Sequence, residues 1–200
     1  MPVPHTGKAI GLGVAAELNL PYHDILIRNK HVNRTFIMPN EKTRQTALWQ
    51  KFGLVESRVK GKRICLVDDS IVRGNTTKSL SKYFRQMGAK EIHYVIASPE
   101  IRYPNIYGIY IPTETELVAH QRNAAEIAKV INADSVTFLP LHKVHLVLNK
   151  HNPDLTSFEE SMFTNQHLSW VVTPTKVGSD FQKFIFSDHH NMSGLSLIHI

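Results

Sequence analysis

The chain of 200 residues has a single cysteine, Cys65, which excludes an internal disulfide framework. It has no apolar run near the ~20 residues that a membrane-spanning helix needs. Its first residues, MPVPHTGKAIG, lack the charged-then-apolar layout of a signal peptide. Together these absences predict a cytoplasmic protein that makes no membrane contact.

The positive charge is spread along the chain instead of being concentrated in one segment. The net charge is +6 and the pI is near 9.4, which suits either nucleic acid or a polyanionic small molecule such as a phosphate ester. No basic helix with interleaved aromatic residues is present, so the sequence predicts no nucleic-acid partner. Of the twelve histidines, His142 and His145 lie three apart on a predicted helix but lack a neighbouring acid or thiol. We therefore expect these two to be surface residues and not metal ligands.

Strand and helix patterns alternate, which is typical of a parallel, doubly wound α/β sheet. The predicted strands are ICLV before Asp68, Tyr22–Ile27, Glu91–Ala97 and Ser135–Leu139. The first predicted helix is Ala9–Leu18. The second has the apolar face Leu80, Tyr83, Phe84 and Met87, and Gly88 ends it. The third has the helical spacing Ala124, Ile127, Ala128 and Ile131. The pattern weakens near residue 165. We expect one domain over residues 1–164 and a tail of uncertain order over residues 165–200.

The stretch LVDDSIVRGNTT places two acids, Asp68 and Asp69, at the end of a buried strand and a glycine-containing loop before a helix. In open α/β sheets, ligands bind at this edge. Free N–H groups at a helix start, with the Ser and Thr hydroxyls, suit a phosphate, and the two acids suit sugar hydroxyls or Mg²⁺. The glycine and lysine spacing of a P-loop is missing. A bare DDS is equally ordinary capping chemistry, so the longer pattern carries the interpretation.

This longer pattern resembles the binding signature of the type I phosphoribosyltransferases. The segments RNKHVNRTFIMPN, LVDDSIVRGNTT, MGAKEIHYVIASPEIRYPNIYGI and NPDLTSFEESMF together resemble amidophosphoribosyltransferases, from about Pro2 to Phe163. The resemblance implies a type I phosphoribosyltransferase fold. It also implies transfer of ammonia to C1 of phosphoribosyl pyrophosphate (PRPP), which gives 5-phosphoribosylamine and pyrophosphate, the first step of purine synthesis.

The resemblance also implies roles for individual residues. Asp68 and Asp69 would bind the ribose and Mg²⁺, with Thr6 near the metal and Gly7 in the pyrophosphate loop Val3–Ala9. The loop that closes over PRPP would carry Arg28, Lys30 and Arg34, and Arg34 would join the two acids in catalysis. The 5′-phosphate loop would consist of Ser70, Arg73, Gly74, Asn75, Thr76 and Thr77.

The chain departs from the family pattern at several points. It offers no cysteine nucleophile for a glutaminase, so we expect free ammonia or a separate glutaminase to supply the nitrogen. One N-terminal core strand has no counterpart, which predicts an exposed sheet edge. His5, Asn33 and Tyr110 stand where the family has an acid, a glycine and an aspartate. Asn105 replaces a cysteine of the relatives that hold an iron–sulfur cluster, so we expect no such cluster.

A phosphoribosyltransferase with another specificity, such as one for a free base, would need a hood to hold the base, and the sequence shows none. Two alternatives of other classes stay open beside the enzyme. The chain could be an inactive module that binds PRPP or a nucleotide, or it could be a truncated remnant. Binding without turnover would indicate the first, and the absence of both cooperative unfolding and ligand stabilisation would indicate the second. Family members are commonly homo-oligomers, and we expect the same here.

Overall fold

The computed structural model describes residues 1–4, 6–28, 52–53, 56–105, 113–154 and 157–166. Met1–Gln166 form one compact unit. No helix in the described ranges is both long enough and apolar enough to cross a membrane. Residues 167–200 of the predicted tail lie outside the description, and the predicted boundary at residue 164 stays a prediction.

Helices and strands alternate along most of the described chain. The strands are β1 Ile27–Arg28, β2 Phe52–Gly53, β3 Arg63–Asp68, β4 Glu91–Ile96 and β5 Ser135–Phe138. The α-helices are α1 Gly7–Glu17, α2 Asn75–Gln86, α3 Ala124–Val130, α4 Leu141–His151 and α5 Ser161–Thr164. Two 3₁₀ turns, Glu56–Arg58 and Glu114–Glu116, complete the set.

The central sheet is parallel and has the order β3-β4-β5. Arg63 pairs with Glu91 and Asp68 with Ile96, so β3 and β4 are in register over their full length. All three strands therefore end at one edge of the sheet, and helices connect them, as the α/β prediction requires. β1 and β2 form a separate antiparallel pair.

The core lies between the sheet and its helices. Helix α2 buries Leu80, Tyr83 and Phe84, the face that its sequence spacing predicts. Gly88 has φ = +79° just after that helix, which confirms its predicted role in ending it. The most completely buried side chains of the main core, each at most 1% exposed, are Val59, Leu66, Phe84, Ile92, Tyr94, Ile96, Ala119, Ile127 and Ile131.

One predicted strand is wrong. We expected a strand over Tyr22–Ile27, but the structure begins β1 at Ile27 and pairs it with Gly53. Leu26 is only 2% exposed, so the apolar residues of this stretch correctly indicated a buried segment. A strand also needs a neighbour for its backbone, and within the described residues only Ile27 of this stretch has one, together with Arg28 after it.

The first residues pair with β3 on the side away from β4. Val3 N–H donates to the Val67 carbonyl at 2.8 Å, and Val67 N–H donates to the Met1 carbonyl at 2.9 Å. Helix α1 begins directly after this segment and packs on β3. A Cβ at Gly7 would lie 2.3 Å from the Val67 oxygen, so the helix start and the strand approach as closely as glycine allows.

Replacing Gly7 with alanine therefore tests this contact. We expect Gly7→Ala to destabilise the protein by about 1–3 kcal/mol, because the new methyl group meets backbone that cannot move cheaply. Gly13→Ala is the matched control, since a Cβ there meets nothing within 4 Å. Gly13→Ala should increase the free energy of unfolding by about 0.5–1 kcal/mol, because alanine has the higher helix propensity. Urea unfolding measures both, and equal stability of the two variants would contradict the proposed contact.

Candidate active site

Two carboxylates mark the carboxyl end of β3. Asp68 is the last residue of the strand, and its carbonyl accepts a hydrogen bond from Ala97 N–H at 3.1 Å. The Asp68 carboxylate accepts from Asp69 N–H at 3.0 Å, and the Asp69 carboxylate accepts from Ser70 N–H at 2.7 Å. Each acid is thus oriented by the backbone of the next residue. Asp68 is partly buried, whereas Asp69 is exposed.

The loop after the acids delivers the start of α2 to the same place. Ile71 is 2% exposed and anchors the loop in the core, and Val118 N–H donates to the Val72 carbonyl at 2.9 Å. Helix α2 has no side-chain cap at its first residue. Its first N–H groups therefore have no partner from a capping side chain, and they carry the positive end of the helix dipole.

Gly74 is required at the turn into α2 for two reasons. Its φ is +75°, a left-handed conformation that side chains disfavour. A Cβ there would also lie 3.1 Å from Val118 Cγ2 and 3.3 Å from Ile131 Cγ2. The loop therefore turns into the helix with its backbone pressed against the core.

A cavity of about 650 Å³ lies over the acids and the loop. Nine of the predicted site residues line it: Thr6, Asp68, Asp69, Ser70, Arg73, Gly74, Asn75, Thr76 and Thr77. Thr6 reaches it from the N-terminal side, because the Met1–Val3 pairing brings the start of α1 beside the end of β3. Residues far apart in sequence thus meet at one edge of the sheet.

The remaining predicted site residues are placed differently. Gly7 does not line the cavity, and its close approach to Val67 gives it a packing role. Arg28 ends β1, and only its backbone is described. Lys30 and Arg34, the predicted loop cations, lie outside the described residues. The same holds for three departures from the family pattern, His5, Asn33 and Tyr110.

Burial raises the pKa of Asp68 to about 7, and the neighbouring Asp69 carboxylate adds to that rise. The Asp69 N–H bond opposes the rise without cancelling it. Near neutral pH the bare site therefore holds Asp68 partly protonated. A cation placed between the two acids would favour the ionised form.

Glu116 lines the cavity although the sequence motifs predicted no role for it. It lies in the 3₁₀ turn Glu114–Glu116, lines the cavity, and accepts a 2.6 Å hydrogen bond from Arg73 Nε. The side chains of Arg73 and Glu116 are 41% and 38% exposed. The segment TETEL has no periodic pattern or motif that would have pointed to this contact. Arg73, the cation of the loop, is thus already paired with Glu116, and an anionic ligand would displace Glu116 from it.

The donors at this site suit a hard divalent cation. Asp68, Asp69 and Thr6 offer oxygen ligands, and Mg²⁺ is commonly held by one or two carboxylates together with ligand phosphates. Among the described residues no group of three or more histidine, cysteine or acidic side chains is placed to hold a metal by itself. The protein side chains therefore fit Mg²⁺ that arrives with a phosphorylated ligand.

The chain does not fit an iron–sulfur cluster, which needs about four cysteine ligands, because it has only Cys65. Asn105 is 8% exposed and donates from Nδ2 to Glu159 Oε1 and to Ser161 Oγ, both at 3.4 Å. These are oxygen partners, and Glu159 also accepts from the Ser161 hydroxyl. Hydrogen bonds thus join Asn105 to the start of α5.

The expectation for one histidine needs correction. His145 was expected to lack an acidic companion, but its Nε2 lies 2.6 Å from Glu160 Oε2, and its ring stacks on Phe158. The sequence separation of 15 residues hid this pairing. His145 joins α4 to the segment before α5, and a single acid and a single histidine make no metal site.

The pKa of Asp68 leads to a pH prediction. The folded state holds its proton up to about pH 7, whereas the unfolded chain loses it near 3.8. The protonated Asp68 carboxyl favours the folded state, and this contribution to the free energy of unfolding is lost as pH rises from about 4 to 7. We expect the free energy of unfolding of Asp68→Asn, measured relative to that of the wild type, to rise by about 1–4 kcal/mol from pH 4 to pH 8.5. Urea unfolding in metal-free buffer at both pH values measures it, and a pH-independent difference would contradict the buried carboxyl.

The Arg73–Glu116 pair leads to an anion-binding prediction. We expect Glu116→Gln to bind inorganic phosphate severalfold more tightly, because Arg73 is released and a negative charge is removed. Stability should change by less than about 1 kcal/mol, since the pair is exposed. Glu114→Gln, two residues away and outside the cavity lining, is the control. Calorimetric titration with phosphate measures both, and equal affinities in the two variants would refute a competition for Arg73.

Known proteins are similar to this chain in sequence and in fold. No protein-family model matches the chain. It is 41% identical over 174 residues to the amidophosphoribosyltransferase of Pasteurella multocida and 45% identical over 137 residues to that of Homo sapiens. These matches take in 87% and 68% of this chain but only 34% and 26% of the relatives. The chain thus spans about a third of the length of the curated relatives it matches.

A solved structure agrees. The glutamine PRPP amidotransferase from B. subtilis, complexed with ADP and GMP, is 33% identical and superposes with a TM-score of 0.71. That match covers 90% of this chain and 38% of the solved one. The expected type I phosphoribosyltransferase fold is therefore confirmed. The chain is therefore a homologue of the phosphoribosyltransferase domain of the amidophosphoribosyltransferases.

Proposed function

We propose that this chain transfers ammonia to C1 of PRPP, releasing pyrophosphate and forming 5-phosphoribosylamine. The observation that carries the proposal is the convergence of Thr6, the two acids and the Ser70–Thr77 loop on one cavity. PRPP has a phosphate at one end, ribose hydroxyls in the middle and a pyrophosphate at the other end. The lining offers a partner for each part.

The loop and the start of α2 suit the 5′-phosphate. The first N–H groups of the helix, Arg73, and the hydroxyls of Ser70, Thr76 and Thr77 surround the same space. The helix end alone contributes about 0.3–1 kcal/mol for an anion, so the remaining affinity comes from Arg73 and the hydroxyls. Displacing Glu116 from Arg73 is part of that binding step.

Charge balance favours the ligand as its magnesium complex. The lining holds three acids, Asp68, Asp69 and Glu116, against one described cation, Arg73. A bare polyanion would be repelled there, whereas a magnesium-bound one brings charge that the two aspartates can neutralise. Mg²⁺ so bound supplies charge stabilisation for the leaving group, with Asp68, Asp69 and Thr6 as the residues that would hold it. Lys30 and Arg34 remain predicted cations of the closing loop.

The reaction then needs little acid–base chemistry from the protein. The bond from C1 to the pyrophosphate oxygen breaks, and its electron pair leaves with pyrophosphate. The lone pair of ammonia forms the new C1–N bond, and the surplus proton passes to solvent. The chain's residues hold the ribose and favour charge separation between sugar and pyrophosphate. The predicted loop with Lys30 and Arg34 would exclude water from the reaction.

The source of ammonia and the assembly belong to the same proposal. We infer that free ammonia or a separate glutaminase supplies the nitrogen, and that the chain works in the cytoplasm as a homo-oligomer. The alternative of a PRPP- or nucleotide-binding module without turnover draws on the solved relative that carries ADP and GMP. The enzyme and the binding module would use the same cavity, and they differ in whether C1 of PRPP reacts.

Pyrophosphate release from PRPP tests the enzyme directly, with Mg²⁺ and ammonium at alkaline pH. We expect ammonia-dependent release by the wild-type chain. The double variant Asp68→Asn/Asp69→Asn should lose about 100-fold or more of this activity, because the ribose and metal contacts go together. Asp154→Asn, which changes an exposed carboxylate outside the cavity lining, is the matched control and should keep full activity.

The other outcomes are equally informative. PRPP binding by calorimetry without pyrophosphate release would replace the enzyme with the binding module. Neither binding nor release, in a chain that unfolds cooperatively, would overturn both. Release that survives in the double variant would show that the carboxylates lack the assigned role.

A further inference from the structure

Two buried hydroxyl groups meet at the first turn of α2 without lining the cavity. Tyr94, on β4, is 1% exposed, and Ser81, one turn after Thr77 on α2, is fully buried. A hydroxyl group in such a place has lost its water and needs a partner inside the protein. The partners of these two hydroxyls therefore show what the pair does.

Both hydroxyls converge on one backbone carbonyl, that of Thr77. Ser81 Oγ donates to this carbonyl at 3.0 Å, and Tyr94 OH donates to it at 3.2 Å. The two hydroxyl oxygens also lie 3.1 Å apart, and either one can donate to the other. Each hydroxyl has a single proton, and the two cannot donate to each other at once. At least one proton is therefore always directed at the Thr77 carbonyl.

This carbonyl belongs to the turn that lines the cavity. Thr77 is 7% exposed, and together with Asn75 and Thr76 it forms the start of α2 in the lining. A helix start that offers its N–H groups to an anion cannot have them occupied by a capping side chain, and α2 has no such cap. Hydrogen bonds to a carbonyl hold the turn while its N–H groups stay open.

Strand β4 links the same contact to the two acids. Tyr94 pairs with Leu66, two residues before Asp68 on β3. Burial raises the pKa of the Tyr94 hydroxyl, the bond with Ser81 opposes the rise, and the negative charge of Asp68 adds to it. Tyr94 therefore keeps its proton at the alkaline pH of the pyrophosphate assay, and its hydroxyl is within electrostatic reach of the first acid.

We propose that Tyr94 and Ser81 are positioning residues for phosphate binding, which hold the Thr77 carbonyl and so fix the first turn of α2 in the conformation that receives the phosphate. The inference rests on the 5′-phosphate site of the proposed function. Neither side chain lines the cavity, so both act through Thr77. A turn that is ordered before the ligand arrives loses less conformational entropy on binding, and the phosphate affinity depends on the pair for this reason.

Inorganic phosphate, titrated calorimetrically into the full chain, is the probe. Tyr94→Phe and Ser81→Ala each remove one hydroxyl and leave the other to donate to Thr77. We expect each single variant to bind phosphate about two- to threefold more weakly, because part of one buried hydrogen bond is lost. The double variant leaves the Thr77 carbonyl without a side-chain donor, and its loss should exceed about tenfold, more than the product of the single losses.

Two hydroxyl groups on α2 outside the cavity lining provide the matched controls. Tyr83→Phe removes a buried tyrosine hydroxyl, and Ser79→Ala removes a half-buried serine hydroxyl. Both controls should bind phosphate as the wild type does. Urea unfolding of every variant separates stability from affinity, since a residue that only stabilises the core lowers the unfolding midpoint and leaves the dissociation constant unchanged.

Turnover of PRPP gives a second readout. We expect KM to rise with the phosphate dissociation constant in the two single variants, and kcat to change by less than about twofold, because the 5′-phosphate contact is the same in the ground state and the transition state. A fall in kcat at constant KM would contradict a role in phosphate binding.

The remaining outcomes separate this inference from the proposed function. Single variants that unfold at lower urea concentration but match their controls in phosphate affinity would overturn the inference. A double-variant loss equal to the product of the single losses would also overturn it, since the hydroxyls would then act independently. If the double variant does not fold, the single variants and their controls decide. A wild-type chain that binds phosphate but releases no pyrophosphate from PRPP would overturn the enzyme and leave this inference standing.

Discussion

The Val67 carbonyl is the point at which the fold and the candidate site are joined. It accepts the Val3 N–H and lies 2.3 Å from where a Cβ of Gly7 would stand. One peptide group therefore holds the N-terminal segment, the start of α1 and the end of β3 together. Asp68 is the next residue, so any displacement at Val67 moves the first carboxylate of the cavity. This contact also brings Thr6 within reach of residues more than sixty positions later.

Electrostatic conflict is built into the cavity. Burial and Asp69 raise the pKa of Asp68 to about 7, and Glu116 occupies the Arg73 guanidinium. Neither arrangement stabilises the protein without ligand: one is a half-buried acid, and the other is an exposed ion pair worth at most about 1 kcal/mol. Both become favourable when a cation and a phosphate arrive together. These features support the proposal that the ligand carries both a cation and a phosphate.

The sequence predicted the local features well where the pattern is periodic or depends on one residue type. The buried face of α2, the glycine after it and the strand before Asp68 follow from spacing and glycine chemistry, and all are found. The strand expected over Tyr22–Ile27 failed because pairing depends on a distant partner, Phe52–Gly53. His145 with Glu160 and Arg73 with Glu116 were missed for the same reason, since their separations of 15 and 43 residues leave no local signal.

By itself, the sequence showed the family resemblance, predicted the α/β alternation and singled out nine of the residues that line the cavity, because short motifs and hydrophobic periods are local properties of the chain. The tertiary structure alone decided that Gly7 packs against β3 and does not line the cavity, that Glu116 holds Arg73, and that two buried hydroxyls meet at the Thr77 carbonyl. Each of these depends on distances of a few ångströms between elements remote in sequence. Packing sets such distances, and no local pattern encodes them.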